Sequence, residues 1–396
     1  MRLLRALVVV GVACCGFFVS VQFFSNQRHL FNAPIYGRDY WSNPDSERSL
    51  DISYMSEDHE EMKSDNHTAA QEISTDHIKK WLPDTKNLLP NYFTMRDNVT
   101  NERRYADGIL VYMHLNKAAG TTTKTCLSMM SKTRPNPKPV VTVSEARARI
   151  QTDIKNGKLK YDILMGDYSF GICDAVGNKS CSYFTILRDP YERLLSSFSY
   201  CKRAKDQLCE GLNPWEADLK RWAVHQGSYF FRQLLMKPWF CGANPEYAKQ
   251  GLDGIPHSKG RTFSNTPCWF RQKVILKRAL TSGQMDILLQ YCVEHLEEWF
   301  TMIGLTEQYD LTLRMLEKVY HLPFQKTCGR SQLNKSDYRN VARSRRISKE
   351  KSVVEWKRNL KEDPEVYEAL RADIVIYEKA KEIFKRQSLA FLTNNH

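Results

Sequence analysis

"ILVYMHLNKAAGTTTK", residues 109–124, decides how this chain folds. The stretch ILVYM has no polar side chain apart from the tyrosine hydroxyl and, extended to residues 108–115, reads as a strand buried on both faces. GTTTKTCLSMMSK (120–132) reads as a helix, so the intervening turn carries the chain from a strand end into a helix start. Such a turn aims backbone N–H groups and the positive end of a helix dipole at one point, which attracts an anion. Gly120 and the neighbouring alanines let the backbone come close, Lys117 adds a point charge, and Thr121, Thr122 and Thr123 offer hydroxyls. The order is not GxxxxGK[ST], because the lysine precedes the glycine, and no acidic strand end for magnesium follows at an obvious distance.

The alternation continues outward. YDILMG (161–166) and SYFTIL (182–187) read as further strands, PYERLLSSFSYC (190–201) as a helix, and the later chain as mainly helical. The expected fold is α/β, a parallel central sheet flanked by helices. Near the C-terminus Val366, Leu370, Ile374, Tyr377, Ala380 and Phe384 recur every three or four residues, a packing stripe. The segment TILRDPYERLLSSF (185–198) holds a second constellation. Asp189 followed by Pro190 is a helix N-cap with proline at the first helical position. Arg188 then sits at a strand end beside that helix, and Ser196 lies about two turns along on the same face. A guanidinium and a hydroxyl converging there suit a second phosphate.

The surroundings are set by hydropathy, charge and cysteine. Residues 7–24 form an uncharged run long enough to span a bilayer, preceded by Arg2 and Arg5, so the short N-terminus is expected in the cytoplasm and the rest of the chain beyond the membrane. A cleaved signal peptide is the alternative. The expected organisation is a tail (1–6), an anchor (7–24), a stem (25–104) and a folded domain (105–396). Residues 39–76 carry a net −9 and few aliphatic side chains, as a solvated stem would. With +13 overall, residues 78–396 hold +18, a charge that calls for a polyanionic partner. Nine of the eleven cysteines follow the anchor. Cys173 with Cys181, and Cys201 with Cys209, are spaced to close small loops, and Cys241 with Cys268 a longer one, although spacing alone does not establish pairing. No CxxC pair occurs, so no metal site is expected. Asn66, Asn98, Asn178 and Asn334 head N-glycosylation tripeptides, which suits an oxidising secretory compartment.

Together, HLNKAAGTT and LRDPYERLLSSF resemble the two phosphate motifs of the Golgi carbohydrate sulfotransferases, which use 3′-phosphoadenosine 5′-phosphosulfate. SYFFRQLLMKPWFCG, EHLEEWFTMIGLTEQYD and SQLNKS are similar in order to the heparan sulfate and uronyl 2-O-sulfotransferase branch, over residues 105–388. The resemblance implies a P-loop-like sulfotransferase fold preceded by one transmembrane helix. It also implies a single-pass type II Golgi membrane protein with its catalytic domain in the lumen. The implied reaction moves a sulfuryl group to a hydroxyl of a glycosaminoglycan such as heparan sulfate, at the 2-O position of a uronic acid. The partners would be an acidic polysaccharide and the Golgi membrane, with no nucleic acid; homo-oligomerisation stays open. Lys117 would neutralise the leaving bisphosphate. Ala118, Ala119, Gly120, Thr121 and Thr122 would hold the 5′-phosphate, Arg188 and Ser196 the 3′-phosphate, and Lys335 is a further donor-site candidate.

One position departs from the branch. Where its pattern carries a histidine base, this chain has MGDYSF with Asp167, and a carboxylate of ordinary pKa is a weak base unless burial raises it. His114, beside the loop, is the next candidate, with His225, His257 and His295 after it. Three readings stay open: an active sulfotransferase of 2-O or 6-O specificity, a glycosaminoglycan-binding relative with impaired catalysis, and a lumenal kinase or other nucleotide-dependent transferase.

Overall fold

The computed structural model describes residues 108–132, 140–173, 176, 180–235, 268–329 and 353–393, all within one unit, Ala70–His396. Its strands are β1 (Ile109–Met113), β2 (Val141–Thr142), β3 (Ile163–Gly166), β4 (Cys181–Leu187) and β5 (Phe300–Leu305). The helices are α1 (Gly120–Lys132), α2 (Val143–Lys155), α3 (Pro190–Cys201), α4 (Leu219–Gln226), α5 (Tyr229–Leu234), α6 (Cys268–Ala279), α7 (Ser282–Trp299), α8 (Tyr309–Tyr320), α9 (Phe324–Cys328), α10 (Val353–Glu362) and α11 (Pro364–Thr393). Short 3₁₀ turns occupy Gln207–Cys209 and Thr306–Gln308.

The five strands pair in the order β2-β3-β1-β4-β5, and every pairing is parallel. All five residues of β1 are buried, as the apolar run requires of a central strand. Val111 lies opposite Leu164 on one side and Tyr183 on the other, so β1 is the strand from which the chain builds outward in both directions. In open parallel sheets ligands bind outside the carboxyl ends of the strands at such a reversal. Thr185 reinforces this edge, donating its hydroxyl to the Met113 carbonyl at 2.9 Å. Aromatic rings fill the space around the sheet: Tyr112 stacks on Phe184 at 4.7 Å and Phe170 on Phe300 at 5.2 Å.

The α11 stripe packs as its periodicity suggests. Val366, Leu370, Tyr377, Ala380 and Phe384 are buried and Ile374 is half-buried. The same helix brings a carboxylate into the interior. Asp373 accepts the backbone N–H groups of Phe230 at 3.1 Å and Phe231 at 2.9 Å, satisfying the first turn of α5, whose own N-cap Ser228 makes no side-chain cap bond. Arg193 and Arg232, both buried, lie in its field.

Cys173–Cys181 and Cys201–Cys209 are disulfides. Cys268 is also disulfide-bonded; Cys241 lies outside the described residues, as do Asn66, Asn98, Asn178, Asn334, His257 and Lys335. The anchor expected over 7–24 and the stem expected over 25–104 lie outside them too, and no helix among the described residues is long and apolar enough to cross a membrane.

Removing the Asp373 carboxylate strips the backbone acceptor from α5 and leaves two buried guanidinium groups uncompensated. Asp373→Ala is therefore expected to destabilise the domain by about 3–5 kcal/mol, measured as a shift in the urea midpoint with unchanged slope.

Candidate active site

Four strand ends meet at one edge of the sheet. His114 follows β1, Asp167 follows β3, Arg188 follows β4, and Thr306 with Glu307 follows β5. A cleft of about 470 Å³ opens there. Lys117, Ala119, Gly120, Thr121 and Thr122 line it from the first loop, and Arg188 and Ser196 from the second. The loops are tied directly, because Arg188 Nη1 donates to the Lys117 carbonyl at 3.1 Å.

The first loop is bent by two left-handed residues, Lys117 (φ 70°) and Ala119 (φ 57°). Neither is glycine, so each costs on the order of 1 kcal/mol, and such conformations persist where the surroundings over-determine them. The bend starts α1 at Gly120 and brings Gly120, Thr121 and Thr122, at the helix start where backbone N–H groups lack helical partners, to the cleft wall. Two expected donors are spent elsewhere. The Ala118 N–H bonds the Leu115 carbonyl at 3.1 Å, and Ala118 is fully buried; it shapes the turn rather than facing the cleft. The Thr123 hydroxyl is also buried, bonded to the Ala119 carbonyl at 3.1 Å and to the Tyr309 hydroxyl at 3.0 Å. Lys117 rests its ammonium 3.8 Å from the centre of the Tyr200 ring.

The second loop supplies a face of α3. Asp189 caps the helix by accepting the Glu192 N–H at 3.0 Å, and Pro190 opens it. Arg188, Glu192, Ser196 and Tyr200 then follow at intervals of four and all line the cleft. Sequence reading found two of these; the four-residue spacing was the signal for Glu192 and Tyr200.

Several carboxylates also reach the cleft, and most have partners of their own. Lys357 pairs with Glu192 at 3.0 Å and Asp189 at 3.2 Å. Glu307 accepts the Asp189 N–H at 2.9 Å, and Asp206 accepts the Tyr200 hydroxyl and the Leu208 N–H. Burial and the neighbouring Asp206 push the Tyr200 hydroxyl up to about 12, so it stays protonated. Glu307 and Tyr309, within the EHLEEWFTMIGLTEQYD stretch, and Cys328 and Gly329 join the cleft from distant segments, and only the fold brings them there.

His114 and Asp167 form a pair behind the first loop. His114 Nδ1 lies 2.9 Å from Asp167 Oδ1, close but off the axis of a straight hydrogen bond. Asp167 Oδ2 accepts the Asn116 amide at 2.6 Å, and that amide also reaches the Tyr229 hydroxyl at 3.1 Å. Burial lowers the pKa of His114 below the usual histidine value, against the pull of Asp167. Burial pushes Asp167 upward, but contact with His114, the field of Lys124 and the Asn116 amide outweigh it and hold the carboxyl below its usual range. The condition under which Asp167 would be a stronger base, a carboxyl raised by burial, is not met: near neutrality the pair is a neutral imidazole against a carboxylate. His114 lines the cleft and Asp167 does not. With the carboxylate beside Nδ1, the proton is held there and the Nε2 edge is left for the cleft.

Of the other candidates, His225 and His295 lie away from the cleft lining. His225 Nε2 is 3.1 Å from the Glu210 carbonyl and its ring meets Trp269 edge-on; His295 pairs with Glu298 at 2.8 Å. Among the described residues no cluster of side chains could hold a metal ion.

Residues 106–229 match the model of a sulfotransferase family. The match supports a sulfotransferase. It covers roughly a third of the chain, and within it fall both cleft loops, the His114–Asp167 pair and the α3 face. No curated protein matches the chain in sequence.

Gly120 shows how tightly the site is built. A Cβ there would lie 1.6 Å from His114 Nε2 and 2.0 Å from Cδ2, so the ring occupies the space a side chain would need. Gly120→Ala is expected to displace the imidazole, lower stability by about 1–3 kcal/mol and abolish activity, as read by thermal unfolding and turnover on the same sample.

Proposed function

We propose that this protein transfers a sulfuryl group from 3′-phosphoadenosine 5′-phosphosulfate to a hydroxyl of an acidic polysaccharide, a glycosaminoglycan of the heparan sulfate kind. The observation that carries this reading is the shared cleft, where the lysine loop at a helix start and the Arg188–Ser196 face stand around one cavity. Two phosphate sites in one cleft fit a donor with phosphates at both ends of its ribose. Lys117, the α1 N-terminus and the hydroxyls of Thr121 and Thr122 fit the 5′ end; Arg188 and Ser196 fit the 3′ end. The donor, when bound, supplies the sulfuryl group. His114 accepts the proton of the attacking hydroxyl at Nε2. Asp167 holds the imidazole in the tautomer that can do so and stabilises it once charged. Lys117 neutralises charge developing on the departing phosphate oxygen, and Arg188 keeps the Lys117 turn in place through its carbonyl. The net +13 of the chain supports a polyanionic acceptor, and resemblance to the 2-O branch favours the 2-O position of a uronic acid. The uncharged run over 7–24 supports a Golgi membrane anchor with this domain in the lumen.

Transfer of radiolabelled sulfate from the donor to a panel of polysaccharides tests the reading. Incorporation into heparan or dermatan chains is expected, and none into any acidic or neutral glycan would refute it. His114→Ala should lower kcat by roughly 10²–10⁴-fold with little change in donor affinity, the usual loss for a general base. Asp167→Asn should lose less than His114→Ala; the reverse ranking would make Asp167 the base.

The pH profile gives a second check. The neutral imidazole is the working form, so activity should fall as pH drops through the His114 pKa. Because burial lowers that pKa, the acid limb of kcat/KM is expected below about 6.5, the value of an unperturbed histidine.

A further inference from the structure

Beyond Tyr200 the chain leaves α3 at Cys201 and passes through Lys202, Arg203, Ala204, Lys205 and Asp206 to the 3₁₀ turn, where Cys209 closes the loop through its disulfide with Cys201. This loop is a lip of the cleft. Tyr200, Asp206 and Leu208 line the cavity, whereas Arg203 and Lys205 are exposed and Lys202 is half-buried. Three cations within four residues are thus carried on a covalently closed loop beside the donor cleft.

Trp215 stands next to Lys202. It is 68 % exposed, more than any other large apolar side chain among the described residues. An exposed tryptophan is unremarkable on a loose loop, but this one is held. Its backbone N–H donates to the Asn213 side-chain oxygen at 3.1 Å, the Asn213 amide donates to Glu216 at 2.6 Å, and the Ala217 N–H returns to the Asn213 carbonyl at 3.0 Å. Lys202 bridges ring and loop, its ammonium 4.2 Å from the Phe198 ring centre and 5.5 Å from that of Trp215. A flat apolar face with the Lys202 ammonium beside it, Arg203 and Lys205 following on the same loop, the Glu216 carboxylate engaged by Asn213 and the backbone already ordered, is pre-organised for a ligand having a flat apolar side and anionic substituents. A pyranose with carboxylate or sulfate groups has that form: its C–H face lies on an indole while its anions meet lysine and arginine.

We propose that Trp215, with Lys202, Arg203 and Lys205, is a binding subsite for an acidic saccharide chain, gripping the acceptor some way from the hydroxyl that reacts. The assignment rests on the acidic-polysaccharide reading above. A lipid surface fits less well, because the loop is short and closed by a disulfide and offers one aromatic ring rather than the broad apolar face of an interfacial helix.

Calorimetric titration of the full chain with a size-defined heparin oligosaccharide tests the subsite, with the adenosine 3′,5′-bisphosphate affinity measured on each variant. Trp215→Ala should weaken the oligosaccharide about tenfold, as expected for loss of an aromatic anchor, and leave the bisphosphate unchanged. Trp215→Tyr, which keeps a flat ring, should recover most of the loss. Lys202→Ala, Arg203→Ala and Lys205→Ala combined should weaken binding and flatten its salt dependence. Unchanged oligosaccharide affinity in Trp215→Ala, with the parent binding normally, overturns the subsite. Failure of the parent to bind any acidic oligosaccharide overturns the acceptor reading and the subsite with it. Binding of the parent to anionic lipid vesicles, lost in Trp215→Ala while oligosaccharide affinity stays the same, would assign the surface to membrane and overturn the saccharide proposal.

Discussion

The bond from Arg188 to the Lys117 carbonyl joins two loops that lie 71 residues apart in the chain and only one strand apart in the sheet. It exists because β1 and β4 are parallel neighbours, so their carboxyl ends open at the same edge and the groups following each strand meet. Everything proposed for the cleft depends on that register. A shift of β4 against β1 would carry Arg188 and the α3 face away from the lysine turn. The register is secured by ladder bonds buried on both faces and by the Thr185 hydroxyl on the Met113 carbonyl.

The same arrangement explains how a short, glycine-poor loop holds the bend proposed as an anion cradle. Lys117 and Ala119 both take the left-handed conformation, where glycine would be easier, and the strain is offset by surrounding contacts: Arg188 on one carbonyl, Thr123 on the next, and the His114 ring pressed against Gly120. The close approach of His114 to the helix start also places a proton acceptor beside the groups expected to hold the donor. Asn116, Asp167 and Tyr229 brace that acceptor from behind, so the departure of this chain at residue 167 reads as a redistribution of roles. In the proposed function the imidazole at the end of β1 takes the part of the base, and the carboxylate at the end of β3 orients it.

Most of the sheet and the two loops that line the cleft were legible in the sequence because they are local. A strand end, a helix cap and a four-residue face are each written within some twenty residues, and α1 and α3 begin and end where their sequence signals put them. The central place of β1 was not legible, since strand order depends on which apolar faces pack and no periodicity records it. The pairing of His114 with Asp167 was missed for the same reason: the residues are 53 apart in the chain and meet only because β1 and β3 are neighbours. Burial alone would raise the Asp167 carboxyl; the imidazole and amide that hold its charge meet it only in the fold. Glu307, Tyr309 and Cys328 come from helices and turns beyond β5, and although the first two lie in a stretch that carries the family resemblance, nothing local assigns any of them to the cleft.

The central claim is that one cleft recognises phosphates at both ends of a single nucleotide. Calorimetric comparison of adenosine 3′,5′-bisphosphate with adenosine 5′-monophosphate tests it most directly. The account predicts that the bisphosphate binds at least about tenfold tighter, as a charge-assisted contact of 1.5–3 kcal/mol implies, and that Arg188→Ala removes the difference. Equal affinity for the two nucleotides in the parent protein would contradict it.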